Sequence, residues 1–357
     1  MGKKEVVLIY RIGSLGDSLI ALPAIEKIIS KHPNSQFILL TNRNYVNKNY
    51  ISSWDVFGPT GYFDKVIYYE IFNLKKIKTW IEFIRFILKL RSAKPAHIYN
   101  LVVRTDEKTK CRDTVFFHTL IGVKNYVSMP IIHYPPVHNA DGKLPKLEPQ
   151  WKTLLDLVKA NSNATDYSLL LKEENQLEAS RFLQTHRLDA FSYIVICPGS
   201  KMSSKHWPEH RYIKLIEHVL DRIPSMKIVI LGGVEDIDIG DRISKISPEH
   251  ISNLAGKLSI FGSAAIMGKS ILFIGNDSGA VHMAALLGVK TVGIYSSRDY
   301  PGLWDPYGYK NIVLRSEIDC AGCMLEICKV RKNACLELIS AEAVADSVFS
   351  MLSKTLN

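Results

Sequence analysis

Three short stretches hold the residue types that could do chemistry. The first is Val7-Leu8-Ile9-Tyr10-Arg11-Ile12-Gly13-Ser14-Leu15-Gly16-Asp17-Ser18-Leu19, an apolar run, then a glycine-bearing turn, then a helix start. Glycines let a backbone approach a ligand closely, and a helix N-terminus offers free N–H groups. Asp17 stands at that helix start, at the carboxyl end of the first strand, where open α/β sheets place their sites. The same carboxylate in the same place would also serve as a helix cap. This is not the dinucleotide fingerprint, because the first glycine of G-x-G-x-x-G is absent.

The second stretch, Cys197-Pro198-Gly199-Ser200-Lys201-Met202-Ser203-Ser204-Lys205-His206-Trp207-Pro208-Glu209, leaves an apolar run through a loop rich in Ser and Lys. Pro208 opens the following helix at a favoured position. Hydroxyls and ammonium groups there suit a phosphate, and they equally suit a solvated loop. The third, Ile274-Gly275-Asn276-Asp277-Ser278-Gly279-Ala280-Val281-His282-Met283, repeats the strand, turn and helix pattern. Ser278 and Gly279 would turn their N–H groups toward a diphosphate, with His282 one helical turn further on. A turn at Gly232, Gly233 and Glu235 adds another strand end suited to a nucleotide.

These stretches need strands to launch them. Apolar, β-rich runs occur at 6–10, 36–40, 65–69 and 97–103, then at 193–197, 227–231, 271–274 and 291–295, with helical patterns such as 18–30, 208–223 and 280–287 between them. Near-continuous apolar strands alternating with helices predict parallel sheets covered on both faces. A polar break near 161–168 divides the chain, and a proline-rich stretch at 130–149 reads as a long loop. The expected organisation is an α/β protein of two Rossmann-like domains facing a cleft. The first spans 1–165, with the option that a C-terminal helix over 341–357 packs back on it, and the second spans 166–340.

Charge is distributed unevenly. The 357 residues carry 45 Lys and Arg against 35 Asp and Glu, a formal net charge of +10. Residues 1–165 hold 24 basic and 13 acidic residues, and the remainder holds 21 and 22. The whole excess therefore lies in the first half, as expected if that half alone meets an anionic partner. The neutral second half disfavours a nucleic-acid binder. No apolar stretch approaches the roughly 18 to 20 residues of a membrane span, and no secretory or myristoylation signal is visible at the N-terminus. A cytoplasmic protein is expected.

Four further features carry competing readings. Asp236-Ile237-Asp238 has the form of a metal-binding D-x-D, but its position after Gly232-Gly233 suits capping. Cys320, Cys323, Cys328 and Cys335 form C-x2-C-x4-C-x6-C. That spacing permits a four-thiolate site, although its second pair is wider than in a zinc ribbon, and reduced packing or optional disulfides are preferred. Over 72–94, Lys75, Lys78, Arg85 and Lys89 gather on one side of a helical wheel. A broad apolar arc includes Trp80, Ile81, Phe83, Ile84, Phe86, Leu88 and Leu90, which suits either a buried crossover helix or one lying on a membrane surface. Arg104, Lys108, Lys110 and Arg112 follow the fourth strand and suit phosphates or acidic sugars, or simply solvent.

R-I-G-S-L-G-D followed by L-P-A, then P-G-S…K-H-W-P-E, then G-N-D-S-G…H-M-A-A resembles, in order and spacing, the heptosyltransferase family, glycosyltransferase family 9. The resemblance runs from about Val6 to Tyr307. It implies a GT-B fold and an inverting transfer of heptose or a related sugar, from an ADP-heptose-type nucleotide sugar to a lipopolysaccharide core or similar anionic glycolipid. By the same resemblance, Asp17 matches the proposed catalytic base and Lys205 the lysine near the donor phosphates. Ser200 and Lys201 match the donor-phosphate loop, Glu235 the acid that holds the ribose, and Asp277 the acid near the donor sugar. Ser278, Gly279 and His282 match the diphosphate turn. No cofactor and no bound metal are implied. The family's D-x-Q-G-like turn after the fourth strand is missing here, which leaves acceptor contacts to Arg104, Lys108, Lys110 and Arg112. The implied partners are the nucleotide sugar, the anionic glycolipid and the inner membrane surface. The alternatives are a GT-B enzyme with another donor or a non-lipid acceptor, and a catalytically silent nucleotide-binding protein.

Overall fold

The computed structural model describes residues 4–42, 51–69, 77–160, 171–329 and 331–353. The chain divides into two compact units, Met1–Tyr134 with Gln150–Asn163, and Pro135–Pro149 with Ala164–Asn357. The break expected near 161–168 lies outside the described residues.

The first unit holds one parallel sheet of β1 (Val6–Tyr10), β2 (Gln36–Asn42), β3 (Lys65–Tyr69), β4 (His97–Asn100) and β5 (Asn125–Ser128). Their spatial order is β3-β2-β1-β4-β5. All five residues of β1 are buried, because this strand is central and covered on both faces. The chain leaves β1, crosses to β2 on one side and later returns to β4 on the other. The carboxyl ends of β1 and β4 therefore form the switch point at which open α/β sheets place ligands.

The second unit repeats the plan with β6 (Tyr193–Cys197), β7 (Lys227–Ile230), β8 (Ile251–Asn253), β9 (Leu272–Asn276), β10 (Thr291–Ile294) and β11 (Asn311–Leu314). The order β11-β10-β9-β6-β7-β8, again parallel, puts the switch point between β6 and β9. The predicted α/β architecture with parallel sheets is the one observed. Strands β5, β8 and β11 were not expected, and each lies at a sheet edge. There, β5 and β11 are mostly half-exposed and their apolar runs are short, Tyr126–Val127 and Ile312–Leu314.

Two boundary expectations are corrected. Residues 135–149 belong to the second unit, not the first. Val137 N–H donates to the Tyr300 hydroxyl at 2.8 Å, Leu147 N–H donates to Pro301 carbonyl at 2.8 Å, and Lys143 pairs with Glu317 at 2.9 Å. The segment contributes two basic and two acidic residues, so the excess charge of the first unit is unchanged. The C-terminal helix, Ala341–Ser353, packs on the second unit rather than back on the first. Its Val344, Val348 and Leu352 share a core with Tyr212, Leu215, Ile216 and Val219 of the helix Glu209–Arg222.

Gly302 makes the docking of 135–149 testable. Its φ is +85°, and a Cβ there would lie 2.1 Å from the Leu147 carbonyl oxygen, a backbone atom that cannot step aside. Gly302→Ala is expected to destabilise the second unit by about 2 kcal/mol or more, from combined strain and overlap. It should also expose 135–149 to proteolysis, read as a new cleavage under limited digestion of the folded chain.

The amphipathic stretch resolves into two faces. In the helix Ile77–Ala93, Phe86 and Leu90 are buried in the first unit's core, whereas Trp80, Ile81, Ile84 and Leu88 are about half exposed. Arg85 and Lys89 are exposed beside them. Lys75 and the side chain of Lys78 lie outside the described residues. Among the described residues, no helix is long and apolar enough to cross a membrane.

Candidate active site

In the first unit, Asp17 lies in the opening turn of the helix Leu15–Lys31 and is about one-third exposed. Its Oδ2 accepts hydrogen bonds from Ser14 N–H at 2.8 Å and Ser14 Oγ at 2.9 Å. The capping role is thus real, but it occupies one carboxylate oxygen. Oδ1 faces Arg11, whose Nη2 is 4.0 Å away. Gly13 permits this turn: its φ is +137°, and a Cβ would lie 2.4 Å from Asp17 Cβ.

Arg11 is the residue that sequence reasoning missed. It is fully buried, and its guanidinium donates to the backbone carbonyls of Leu101 and Asp17. Burial pushes its pKa down and Asp17 pushes it up. Arg11 ties the ends of β1 and β4 to the first helical turn, which fixes where the Asp17 side chain starts. The available signal was a charged residue directly after five apolar strand residues.

The basic residues after β4 are only partly available to a ligand. Arg104 donates through Nε to Asp113 Oδ2 at 2.7 Å, pairs with it again through Nη2, and lies 5.6 Å from the centre of the Tyr10 ring. Burial raises the Tyr10 hydroxyl pKa to about 12, against the lowering effect of Arg104. Arg112 pairs with the other Asp113 oxygen at 3.2 Å while staying exposed. Lys108 is exposed and Lys110 half-buried on the helix Glu107–Val115. Arg104 therefore serves an internal network, and the remaining three face outward to differing degrees.

In the second unit, Lys205 Nζ lies 2.7 Å from Asp277 Oδ2, with both side chains largely buried. The pair joins the loop after β6 to the turn after β9, at the switch point of the sheet. Burial alone would raise the Asp277 carboxyl pKa, but Lys205, with His282 and Arg315 beyond it, holds it below the usual value. Ser278 caps the helix Gly279–Leu286, and His282 is buried within it. Ser200 is half-buried, while Lys201 and Glu235 are exposed. The second unit thus brings Ser200, Lys205, Asp277 and Ser278 to neighbouring strand ends.

Four side chains anchor this arrangement. Asn276, fully buried, donates to the Pro198 carbonyl at 2.6 Å and accepts from Trp207 N–H at 3.2 Å and the Tyr212 hydroxyl at 3.0 Å. It thereby pins both ends of the Lys205 loop. Ser204 donates through Oγ to Leu325 carbonyl at 2.6 Å, and Arg298 donates to the carbonyls of Leu325 and Met324 at 2.9 and 2.7 Å. Asp236 of the D-x-D turns inward, where it accepts from Gly233 N–H at 2.9 Å, and a Cβ on Gly199 would strike it at 2.0 Å. Burial raises its pKa. Asp238 instead is exposed, so the two aspartates differ in surroundings. Cys320, Cys323, Cys328 and Cys335 line one small cavity beside Ser204 and Arg298.

Comparison with known proteins shows the family and the fold of this chain. The model of glycosyltransferase family 9 (heptosyltransferase) matches residues 143–334. Lipooligosaccharide heptosyltransferase 2 of Haemophilus influenzae is 27% identical over 137 residues, 37% of this chain and 39% of that protein. Lipopolysaccharide heptosyltransferase 2 of Escherichia coli is 26% identical over 151 residues, 39% of this chain and 42% of that protein. The matched part thus spans about two fifths of these relatives. Among solved structures, a family 9 glycosyl transferase from Veillonella parvula superposes with a TM-score of 0.67 at 20% identity, covering 99% of each chain. The E. coli ADP-heptose lipopolysaccharide heptosyltransferase II gives 0.63 at 16% identity, covering 99% of this chain and 100% of that one. At such identities the superpositions establish the fold.

Proposed function

Because this chain belongs to glycosyltransferase family 9 (heptosyltransferase), we propose that it transfers a heptose-type sugar from a nucleotide-activated donor to an anionic glycolipid of the lipopolysaccharide core kind. The observation that carries this reading is the Lys205–Asp277 pair at the carboxyl ends of β6 and β9. An ammonium has three N–H donors, and Asp277 takes one. The other two remain for phosphate oxygens, held in place by the buried carboxylate.

The second unit then binds the donor. Leaving-group charge grows on the diphosphate as the sugar bond breaks, and Lys205 with the N–H groups at Ser278 and Gly279 offsets it, in the role a divalent cation takes elsewhere. Ser200, Lys201 and His282 add donors around the same phosphates, and Glu235, in its exposed position, takes a ribose hydroxyl. In the first unit, Asp17 Oδ1 accepts the proton of the acceptor hydroxyl while Ser14 holds Oδ2. Attack from the face opposite the nucleotide inverts the sugar's configuration. The excess basic charge of this unit, with Lys108, Lys110 and Arg112, draws the anionic acceptor.

Thermal shift across ADP-, GDP- and UDP-sugars tests the donor assignment. An ADP-sugar should raise the melting temperature most, with EDTA present. An equal response to all three, or none, would count against a specific nucleotide site in the second unit.

The exposed side chains Trp80, Ile81, Ile84 and Leu88, with Arg85 and Lys89 adjoining, suit a helix resting on an anionic bilayer at the cytoplasmic membrane face. Replacing Ile81, Ile84 and Leu88 together by serine should abolish flotation with anionic vesicles, with the chain remaining folded. Unchanged flotation would defeat the membrane reading. Phe86 is unsuitable for this test, since it packs in the core.

A further inference from the structure

Three side chains from three separate elements meet at the amino-terminal end of the first sheet. Glu5 immediately precedes β1, His97 opens β4, and His32 caps the far end of the helix Leu15–Lys31. His97 Nε2 lies 3.3 Å from Glu5 Oε1, and His32 Nδ1 lies 3.7 Å from Glu5 Oε2. The two imidazole rings approach to 4.6 Å between centroids. One ligand atom from each residue falls within 4.8 Å of the other two, and among the described residues no other group of His, Cys, Asp or Glu does this in threes.

We propose that Glu5, His32 and His97 form a binding site for a divalent transition metal such as Zn2+, with a water completing the shell. Donors about 2.0–2.2 Å from one tetrahedral ion stand roughly 3.3–3.6 Å apart. The 3.3 and 3.7 Å separations run to the two oxygens of Glu5, and one donor atom from each residue lies within 4.8 Å of the other two, so side-chain shifts of about 1 Å bring three donors to that spacing. A surface ion pair would need one imidazole facing the carboxylate, whereas here two arrive from different elements.

The outer shell is also present. His32 Nε2 lies 3.0 Å from the hydroxyl of the buried Tyr99, so the remote nitrogen of this ring is already engaged and Nδ1 is turned toward Glu5. Metal-bound imidazoles typically use their second nitrogen in this way, which fixes tautomer and ring orientation. Tyr99 sits in β4 two residues beyond His97, on the same face of the strand.

The position defines the role. The helix Leu15–Lys31 has 17 residues, about 25 Å of rise, and Asp17 lies at its other end. An ion held by His32 cannot reach the Asp17 carboxylate. It would instead staple the starts of β1 and β4 to the end of the helix that carries Asp17, acting on the stability of the first unit rather than on transfer.

The test uses the complete chain with Co2+ as the optical probe, because thiolate ligands from Cys320, Cys323, Cys328 or Cys335 would announce themselves by charge-transfer absorption. The expected result is one equivalent of Co2+ bound without that absorption, weakened at least about tenfold in His97→Gln and in Glu5→Gln. Saturating Zn2+ should raise the parent's melting temperature by about 3 °C or more and leave that of Glu5→Gln unmoved. Glu5 is half exposed, so this variant folds even if the histidine variant does not. The proposal is overturned if the parent binds Co2+ only through thiolates or not at all, or if Glu5→Gln binds it as tightly as the parent.

Discussion

Replacing Asp17 by asparagine is expected to lower the transfer rate about a thousandfold, within the range spanned by positioned proton-transfer groups, and to leave donor affinity nearly unchanged. The substitution is nearly isosteric. The amide oxygen of the asparagine can still accept from Ser14 N–H and Oγ, so the helix start and the Arg11 contacts to the two backbone carbonyls survive. What disappears is the oxygen that takes a proton from an acceptor hydroxyl. Initial transfer rates and calorimetric titration with ADP separate the two effects. A variant that turns over like the parent would remove Asp17 from the reaction and leave it only its capping role.

Lys205→Ala should have the largest combined effect, because it strips a buried carboxylate of its partner. Orphaning a buried charge costs about 3–5 kcal/mol, so the second unit should lose stability as well as activity. The pH dependence has a definite sign. In the parent, Lys205 holds Asp277 below its unfolded pKa against the raising effect of burial. That contribution is complete above the unfolded value and is lost as pH falls through the lower folded one. In the variant, burial is opposed only by the more distant His282 and Arg315, and the Asp277 pKa rises. The stability gap between parent and variant should therefore be widest near neutral pH and should narrow as pH falls from the variant's raised Asp277 value toward the parent's lowered one. Adding Asp277→Asn to Lys205→Ala removes the orphan charge. The double variant should recover much of the melting temperature and none of the transfer. Recovery of both would mean that the pair is merely structural.

Legibility in the sequence followed the range of the interactions. The central strands announce themselves because their residues are buried on both faces, as all five are in β1 and β6. Strands β5, β8 and β11 do not, since each is only three or four residues long and offers too short an apolar run. The carriers of the candidate site were readable for a similar reason. Asp17, Lys205, Asp277 and Ser278 sit in local strand–turn–helix units whose spacing is written in consecutive residues. Their anchors were hidden because the anchoring contacts are distant in sequence. Arg11 reaches Leu101 across 90 residues, Asn276 reaches Pro198 across 78, and Ser204 reaches Leu325 across 121. The same limit explains Pro135–Pro149. Its composition says loop, but only the contacts to Tyr300 and Pro301 assign it to the second unit.

Mass spectrometry of a heptose-free lipopolysaccharide core acceptor, incubated with the chain, ADP-heptose and excess EDTA, tests whether Asp17 carries heptose transfer. The acceptor should gain one heptose with the parent chain and none with Asp17→Asn. An acceptor that stays unmodified with the parent chain, or that gains the sugar equally with Asp17→Asn, would contradict it.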